Sequence, residues 1–373
     1  MGRYVRMIAL LLGTAAGLGG CTVGHIILYN FASTKDYKKF PARPLPAAPV
    51  PFAYAVAARE QGPRTATWKE KTLPFDDFLR AHKTVAFLVI RRDTIVYERY
   101  FGGYDEAHMH TSFSAAKSVV SMLVGCAIAD GYIQGVQQPV TDFIPELAKN
   151  GFAAVTIEEL LQMTAGLKFD ESYTNPFGDA AMFYYGRRMY RYMARMKLAR
   201  TPGTHFEYQS GSTQLLGWVL ERALRQHNDP RTVTEYLHDK LWSPLGMSFT
   251  GSWSIDRKKD GIEKFFCCLN APARDYAKLG SLYLHQGNWQ GRQLVPAEWV
   301  ATSTKADTAR GGVPYYRYQW WLPSPEGDFM AHGLLGQYIY VDPARDLVIV
   351  RLGTKEGGFE WGGLLHSLAK AWP

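Results

Sequence analysis

Apolar residues in this chain recur at two periods, and the change between them divides the sequence. Near residue 85 the period is two. Val85, Phe87 and Val89, then Ile95 and Tyr97, alternate on either side of the polar turn Arg91-Arg92-Asp93, which predicts a hairpin. The pattern returns near the C-terminus, where Tyr338-Ile339-Tyr340-Val341 and Leu347-Val348-Ile349-Val350 flank Asp342-Pro343, and Gln319-Trp320-Trp321-Leu322 predicts a further strand. Between these ends the spacing becomes helical. An apolar run follows Ser114 and takes in Cys126 as a small core residue. Thr156-Ile157-Glu158-Glu159 is a capping box opening a helix through Met163, and Thr213 to Ala223 is apolar at helical spacing. Tyr184 to Arg200 interleaves Arg187, Arg188, Arg191, Arg195 and Arg200 with Met189, Tyr190, Tyr192, Met193 and Met196, predicting one amphipathic helix. Its basic face is either solvated or a rim that attracts an acidic substrate or an anionic membrane. Strand-rich ends around a helical middle predict an α/β (α+β) body: an antiparallel sheet flanked by helices, with a helical insertion over roughly 127–270.

The first 34 residues follow neither period. Arg3 and Arg6 precede Met7-Ile8-Ala9-Leu10-Leu11-Leu12 and a small-residue tract, as in an export signal. Leu18-Gly19-Gly20-Cys21 is similar to a bacterial lipobox, with Cys21 as the lipidated residue. No charged side chain occurs from Met7 to Thr34, so an uncleaved signal anchor is the competing reading. Either one places the body outside the cytoplasm and attached to a membrane. Residues 35–74 hold Pro41, Pro44, Pro46, Pro49 and Pro51 and read as a stiff tether and lead-in to a domain over 75–373. The formal charge of +8 fits a basic surface facing acidic lipid or cell-wall polymer, and no nucleic-acid-binding signature accompanies it. Three cysteines besides Cys21 make no disulfide framework, and the strain of a vicinal bond argues that Cys267 and Cys268 stay separate thiols.

Candidate chemistry begins at Ser114-Ala115-Ala116-Lys117. A serine and a lysine three apart face each other across one helical turn, and a lysine whose pKa burial lowers can take the serine's proton. Tyr208 follows the turn Pro202-Gly203 on a short loop. Near a lysine ammonium its phenol would ionise more readily than usual, making it a base toward Ser114 and an acid toward a leaving group. In Ala331-His332-Gly333-Leu334-Leu335-Gly336-Gln337 a glycine-rich stretch enters a strand, where a backbone N–H could join that of Ser114 in stabilising an oxyanion. Metal chemistry has little support: His108-Met109-His110 lacks a third ligand. Asp275 reads as a helix cap, and no cofactor motif is present.

Taken in order, these motifs resemble those of serine β-lactamase-like hydrolases of the class C type, which include D,D-peptidases, esterases and, nearest to this chain, nylon-oligomer hydrolases. The likeness runs over roughly residues 75 to 370. It includes Gln138-Pro139-Val140-Thr141, Leu160-Leu161-Gln162-Met163-Thr164-Ala165-Gly166-Leu167, Phe206-Glu207-Tyr208-Gln209-Ser210 and Gly333-Leu334-Leu335-Gly336-Gln337. The resemblance implies a β-lactamase/transpeptidase-like fold, Ser114 as nucleophile, Lys117 as proton shuttle and Tyr208 as base and acid. It also implies an oxyanion hole from the N–H groups of Ser114 and Leu334, and substrate contacts from Ser210, His332, Gly333, Asp170 and Tyr173, with Glu171 beside them. Two departures narrow it. The family's Y-x-N is Tyr208-Gln209-Ser210 here, and its K-T-G strand has no lysine, His332 lying nearest. Without that cation a substrate carboxylate loses its partner, which favours a small or linear amide or ester over a β-lactam or a cell-wall peptide. The remaining alternative is a catalytically silent cell-wall peptide-binding protein, which would have no need of the base.

Overall fold

The computed structural model describes residues 32–68, 71–358 and 360–372; Cys21 and most of the expected export signal lie outside them. The strands that build the two main sheets are, in chain order, β1 (Ala42–Leu45), β2 (Ala55–Val56), β3 (Thr84–Arg91), β4 (Thr94–Tyr100), β5 (His110–Thr111), β6 (Gly251–Ser254), β7 (Leu269–Ala271), β8 (Tyr316–Arg317), β9 (Trp320–Trp321), β10 (Phe329–Gly333), β11 (Gln337–Asp342) and β12 (Leu347–Gly353). The helices needed below are α1 (Phe75–Ala81), α2 (Ala116–Ala129), α3 (Ile157–Leu161), α4 (Asp179–Tyr185), α5 (Met189–Met193), α6 (Ser210–Gln226), α7 (Ala273–Leu284) and α8 (Trp361–Ala371).

An eight-stranded sheet runs β8-β9-β10-β11-β12-β3-β4-β2. Its centre joins the two ends of the chain, as Ile349 of β12 pairs antiparallel with Val89 of β3. The β3–β4 hairpin closes through Arg92 and Asp93, both left-handed at φ +49° and +55°. Every position of β11 and β12 is buried, so the period of two separates two apolar faces instead of inside from outside. Phe87, Val89, Tyr338, Tyr340 and Ile349 pack under α1 and α8 with Phe75, Phe78, Trp361 and Leu365. Leu88, Ile90, Ile339, Val341, Val348 and Val350 join α2, α6 and α7 in the larger core. At about 25 cal/mol per Å² of apolar surface, that two-sided burial is the main force holding the termini together.

The middle of the chain is mainly helical and also carries a second sheet, β1-β6-β7-β5. That sheet draws in the proline-rich stretch: β1 pairs antiparallel with β6, and Leu45, Ala48 and Tyr54 are buried. Residues 42–45 are extended in β1 and the chain bends at 49–50, so the stretch is docked along the body, with these apolar residues buried there, and is not a free stiff tether.

Other local expectations met physical competitors. The Thr156–Glu159 capping box forms as read, though α3 stops at Leu161. The single helix expected over Tyr184–Arg200 is two, α4 and α5, because Gly186 is extended (φ −69°, ψ 155°) and breaks the ladder. The amphipathic division survives the break, with Met189 and Met193 buried and Arg187, Arg188, Arg191 and Arg195 exposed. Asp275 does not cap its own helix. Its carboxylate accepts from the N–H groups of Ser248 and Phe249 at 2.8 and 3.0 Å and pairs with Lys278. Cys267 and Cys268 are not separate thiols but share a disulfide; the left-handed backbone at Cys268 (φ +69°) turns the two side chains toward each other.

Candidate active site

The nucleophile's turn is held from both sides. Ser112 N–H donates to Leu269 O at 2.8 Å, and Thr111 N–H to Thr34 O at 3.3 Å. Phe113 then takes a left-handed backbone (φ +46°) although its ring is buried. Such a conformation costs about 1–3 kcal/mol and persists only where the surroundings impose it. Here β10 imposes it: a Cβ on Gly333 would lie 2.0 Å from Ser112 O, so only glycine lets the strand end approach this closely. A short 3₁₀ turn, Phe113–Ala115, follows and becomes α2 at Ala116. Ser114 therefore sits half-buried at the mouth of the helix, with Lys117 one turn inside.

Lys117 is 1% exposed. Its Nζ donates to three oxygens: Ser114 Oγ at 3.1 Å, Ser210 Oγ at 3.1 Å and Phe266 O at 2.9 Å. Burial lowers the ammonium's pKa to about 8, with the charge of Glu171 opposing. Phe266 is delivered by the 264–268 loop, which is pinned where Trp253 Nε1 donates to the carbonyls of Lys264 and Cys267 at 3.1 and 3.0 Å. Nothing in the sequence marks a backbone carbonyl as a partner, and this one went unforeseen.

Tyr208 lies on the loop before α6, as expected. Gln209 anchors that loop, donating from Nε2 to Leu167 O at 3.0 Å. The Tyr208 ring is 5.1 Å from Lys117 Nζ and packs edge-on to Tyr316. Its acidity runs opposite to expectation. Burial, then the charge of Glu171, push the phenol well above its ordinary value, and a hydrogen bond with Ser114 offsets them only in part. Lys117 cannot reverse this, because with a pKa near 8 it is already neutral at any pH where the phenol would ionise.

The expected substrate contacts divide. Ser114, Tyr173, Ser210 and Leu334 border one cavity of about 500 Å³, with Phe113, Ala180, Tyr184, Phe266, Cys267 and Ala32 among its other walls. Asp170 is exposed and outside this lining; it braces its own loop, accepting from Ser172 N–H at 2.9 Å and Asn175 Nδ2 at 2.7 Å. His332 also lies outside the lining, stacked on Tyr338 and 3.4 Å from Glu356. Gly333 acts through its close approach to Ser112. Glu171, between Asp170 and Tyr173, is the acidic residue that reaches the centre: its Oε1 accepts from Ser210 Oγ at 2.6 Å and from the Tyr173 hydroxyl at 2.9 Å, and its Oε2 from Ser210 N–H at 2.7 Å.

A serine–lysine–tyrosine cluster at a helix mouth beside a strand end is the geometry of the β-lactamase fold, and the description of the Beta-lactamase family matches residues 75–369. The chain belongs to the beta-lactamase family. This beta-lactamase-family protein is a serine hydrolase of the beta-lactamase fold. It is 28% identical over 293 residues to the 6-aminohexanoate-dimer hydrolase of Paenarthrobacter ureafaciens, covering 73% of this chain and 72% of that one. Among solved structures it is similar to a candidate 6-aminohexanoate-dimer hydrolase from Bacillus anthracis, with TM-score 0.77, 24% identity and 91% of each chain covered. It shares its fold with a family VIII carboxylesterase at TM-score 0.60 and 18% identity, covering 80% of this chain and 95% of that one.

Proposed function

We propose that this protein hydrolyses a small or linear amide or ester through an acyl-enzyme on Ser114. The observation that carries this reading is the contact between buried Lys117 Nζ and Ser114 Oγ at the wall of a largely apolar cavity. Neutral Lys117 takes the Ser114 proton as Oγ attacks the carbonyl. The N–H groups of Ser114 and Leu334 stabilise the oxyanion. Tyr208, kept as a neutral phenol, hands its proton to the leaving group and is restored from Lys117. Water then enters by the same route in reverse and frees the serine.

The cavity favours an uncharged acyl chain: Phe113, Ala180, Tyr184, Phe266 and Leu334 offer it apolar contact. No lysine stands on β10, and His332 faces Glu356, so a substrate carboxylate lacks the cation a β-lactam or peptidyl-D-alanine would use. The name of the Paenarthrobacter relative, a 6-aminohexanoate-dimer hydrolase, supports an amide as the bond cleaved. We further propose that the protein works outside the cytoplasm, tethered to a membrane through its N-terminus. Arg3, Arg6, the uncharged run from Met7 to Thr34 and Cys21 support that reading. Among the described residues no helix is long and apolar enough to cross a membrane.

A fluorophosphonate probe and a p-nitrophenyl ester test the chemistry. Wild type is expected to be labelled and to turn over the ester, and Ser114→Ala to do neither. A folded wild-type protein that neither labels nor turns over would end the proposal. Rates on 6-aminohexanoate dimer, a β-lactam and short esters then rank the substrates.

A further inference from the structure

Lys117 can act as a base toward Ser114 only if its lone pair points at that hydroxyl, and the hydrogen-bond inventory around Nζ decides where it points. A neutral lysine amine has two N–H donors and one lone pair, while the ammonium has three donors. Phe266 O, 2.9 Å away, can only accept, so it takes one N–H. Ser210 Oγ, at 3.1 Å, is a hydroxyl and could accept or donate. If it donated, its proton would occupy the lone pair and Ser114 would face an N–H. Glu171 removes that freedom. Its carboxylate, which can only accept, receives the Ser210 hydroxyl proton at 2.6 Å and the Ser210 N–H at 2.7 Å. With its proton committed, Ser210 Oγ must accept from Lys117. Both N–H groups of the neutral amine are then used, and the lone pair is left facing Ser114 Oγ at 3.1 Å.

We propose that Glu171 is a positioning residue that fixes the Ser210 hydroxyl as an acceptor and thereby aims the Lys117 lone pair at Ser114. The inference rests on the acyl-enzyme reading above and assigns the residue that makes Lys117 competent within it. Glu171 also anchors the cavity mouth, since the Tyr173 hydroxyl donates to the same Oε1 at 2.9 Å. The titratable groups facing Lys117 are Glu171 and Tyr173 from the loop before α4 and Tyr208 from the loop before α6, with Tyr316 behind Tyr208. The Tyr173 and Tyr208 phenols are both pushed above their ordinary value and stay protonated, so Glu171 supplies the one negative charge in this set that raises the Lys117 pKa.

Glu171→Gln tests this directly. The carboxylate accepts from the Ser210 N–H and O–H through two separate oxygens, and an amide has only one; where its Nε2 meets Oγ, the serine proton is turned toward Lys117. The expected result is a fall of about 10- to 100-fold in the plateau kcat/KM for a p-nitrophenyl ester, the range a small misplacement of a reacting group produces. The acid limb of the pH profile is expected near pH 8 in wild type, where Lys117 loses its proton, and at lower pH in the variant, because an anion that stabilised the ammonium is gone. A role confined to loop structure would leave that limb in place. Ser210→Ala is expected to lower the plateau comparably, and Glu171→Gln added to it to cost little more, since the two act through one hydroxyl. An unchanged plateau and limb in Glu171→Gln, or a full additional loss in the double variant, overturns the inference. Those results are read only against a wild type that labels and turns over; a wild type that does neither refutes the acyl-enzyme reading instead.

Discussion

Two buried lysines meet at the 264–268 loop, Lys117 reaching into it and Lys264 belonging to it. Lys117 and Lys264 are both buried, at 1% and 0% exposed, and burial lowers each pKa to about 8. Each amine donates to backbone carbonyls: Lys117 to Phe266 O, Lys264 to Phe183 O at 3.1 Å and Tyr184 O at 2.7 Å. Each also sits near an aromatic ring, Tyr208 for one and Phe40 at 4.8 Å for the other. They part at the remaining contacts. Lys117 meets two hydroxyls, one of which can surrender a proton to it. Lys264 meets groups that only accept. A depressed pKa therefore marks desolvation, and becomes a sign of catalysis only where a proton donor with a reason to react is within reach.

The largest expected separation between the two is kinetic. Lys117→Met should lower kcat/KM for an ester by about 10³- to 10⁴-fold, the upper range for removing a general base, whereas Lys264→Met should stay within a few-fold of wild type. Comparable losses in both would erase the distinction. Tyr208→Phe should cost about 10²-fold in turnover with substrate binding retained, and a near-normal rate would remove Tyr208 from the proton path. In stability the order reverses. Lys264→Met leaves two buried carbonyls without this donor and should lose about 1–3 kcal/mol in urea unfolding, while Lys117→Met, which strips it from one, should lose less.

The smallest effect is a slope. With Lys264 near 8 in the native state against 10.5 in the unfolded chain, the unfolded state binds more protons between those values. Native stability therefore rises with pH there, by no more than about 1.4 kcal/mol per pH unit. Wild type should accordingly gain on Lys264→Met between pH 8 and 10, and parallel curves would show that Lys264 is not desolvated as described.

The sequence announced elements whose local pattern agrees with their final surroundings. The β3–β4 and β11–β12 hairpins, the capping box at Thr156 and the Ser114–Lys117 turn each rest on contacts a few residues apart. Long-range partners were harder to read. The two-helix break at Gly186 and the docking of residues 42–56 depend on neighbours distant in the chain. So does the Tyr208 phenol: burial makes the lysine expected to acidify it lose its own proton first, near pH 8, and Glu171 acts in the opposite sense. At the site, residue type pointed to acidic and aromatic groups near 170 but could not tell Asp170, turned into its own loop, from Glu171, bonded to Ser210. Two side chains one position apart leave a loop in different directions, and the loop's path follows from the packing beneath it.

Ala32 has a practical bearing on how this protein is handled. It is one wall of the cavity that holds Ser114, and Thr34, two residues on, accepts a hydrogen bond from the strand just ahead of the nucleophile's turn. Exchanging the residues before Ala32, trimming the chain or fusing a tag near this point is thus an edit to the cavity beside Ser114. Versions of the protein that differ only in those first residues should be compared by substrate preference before any difference is credited to where the protein resides.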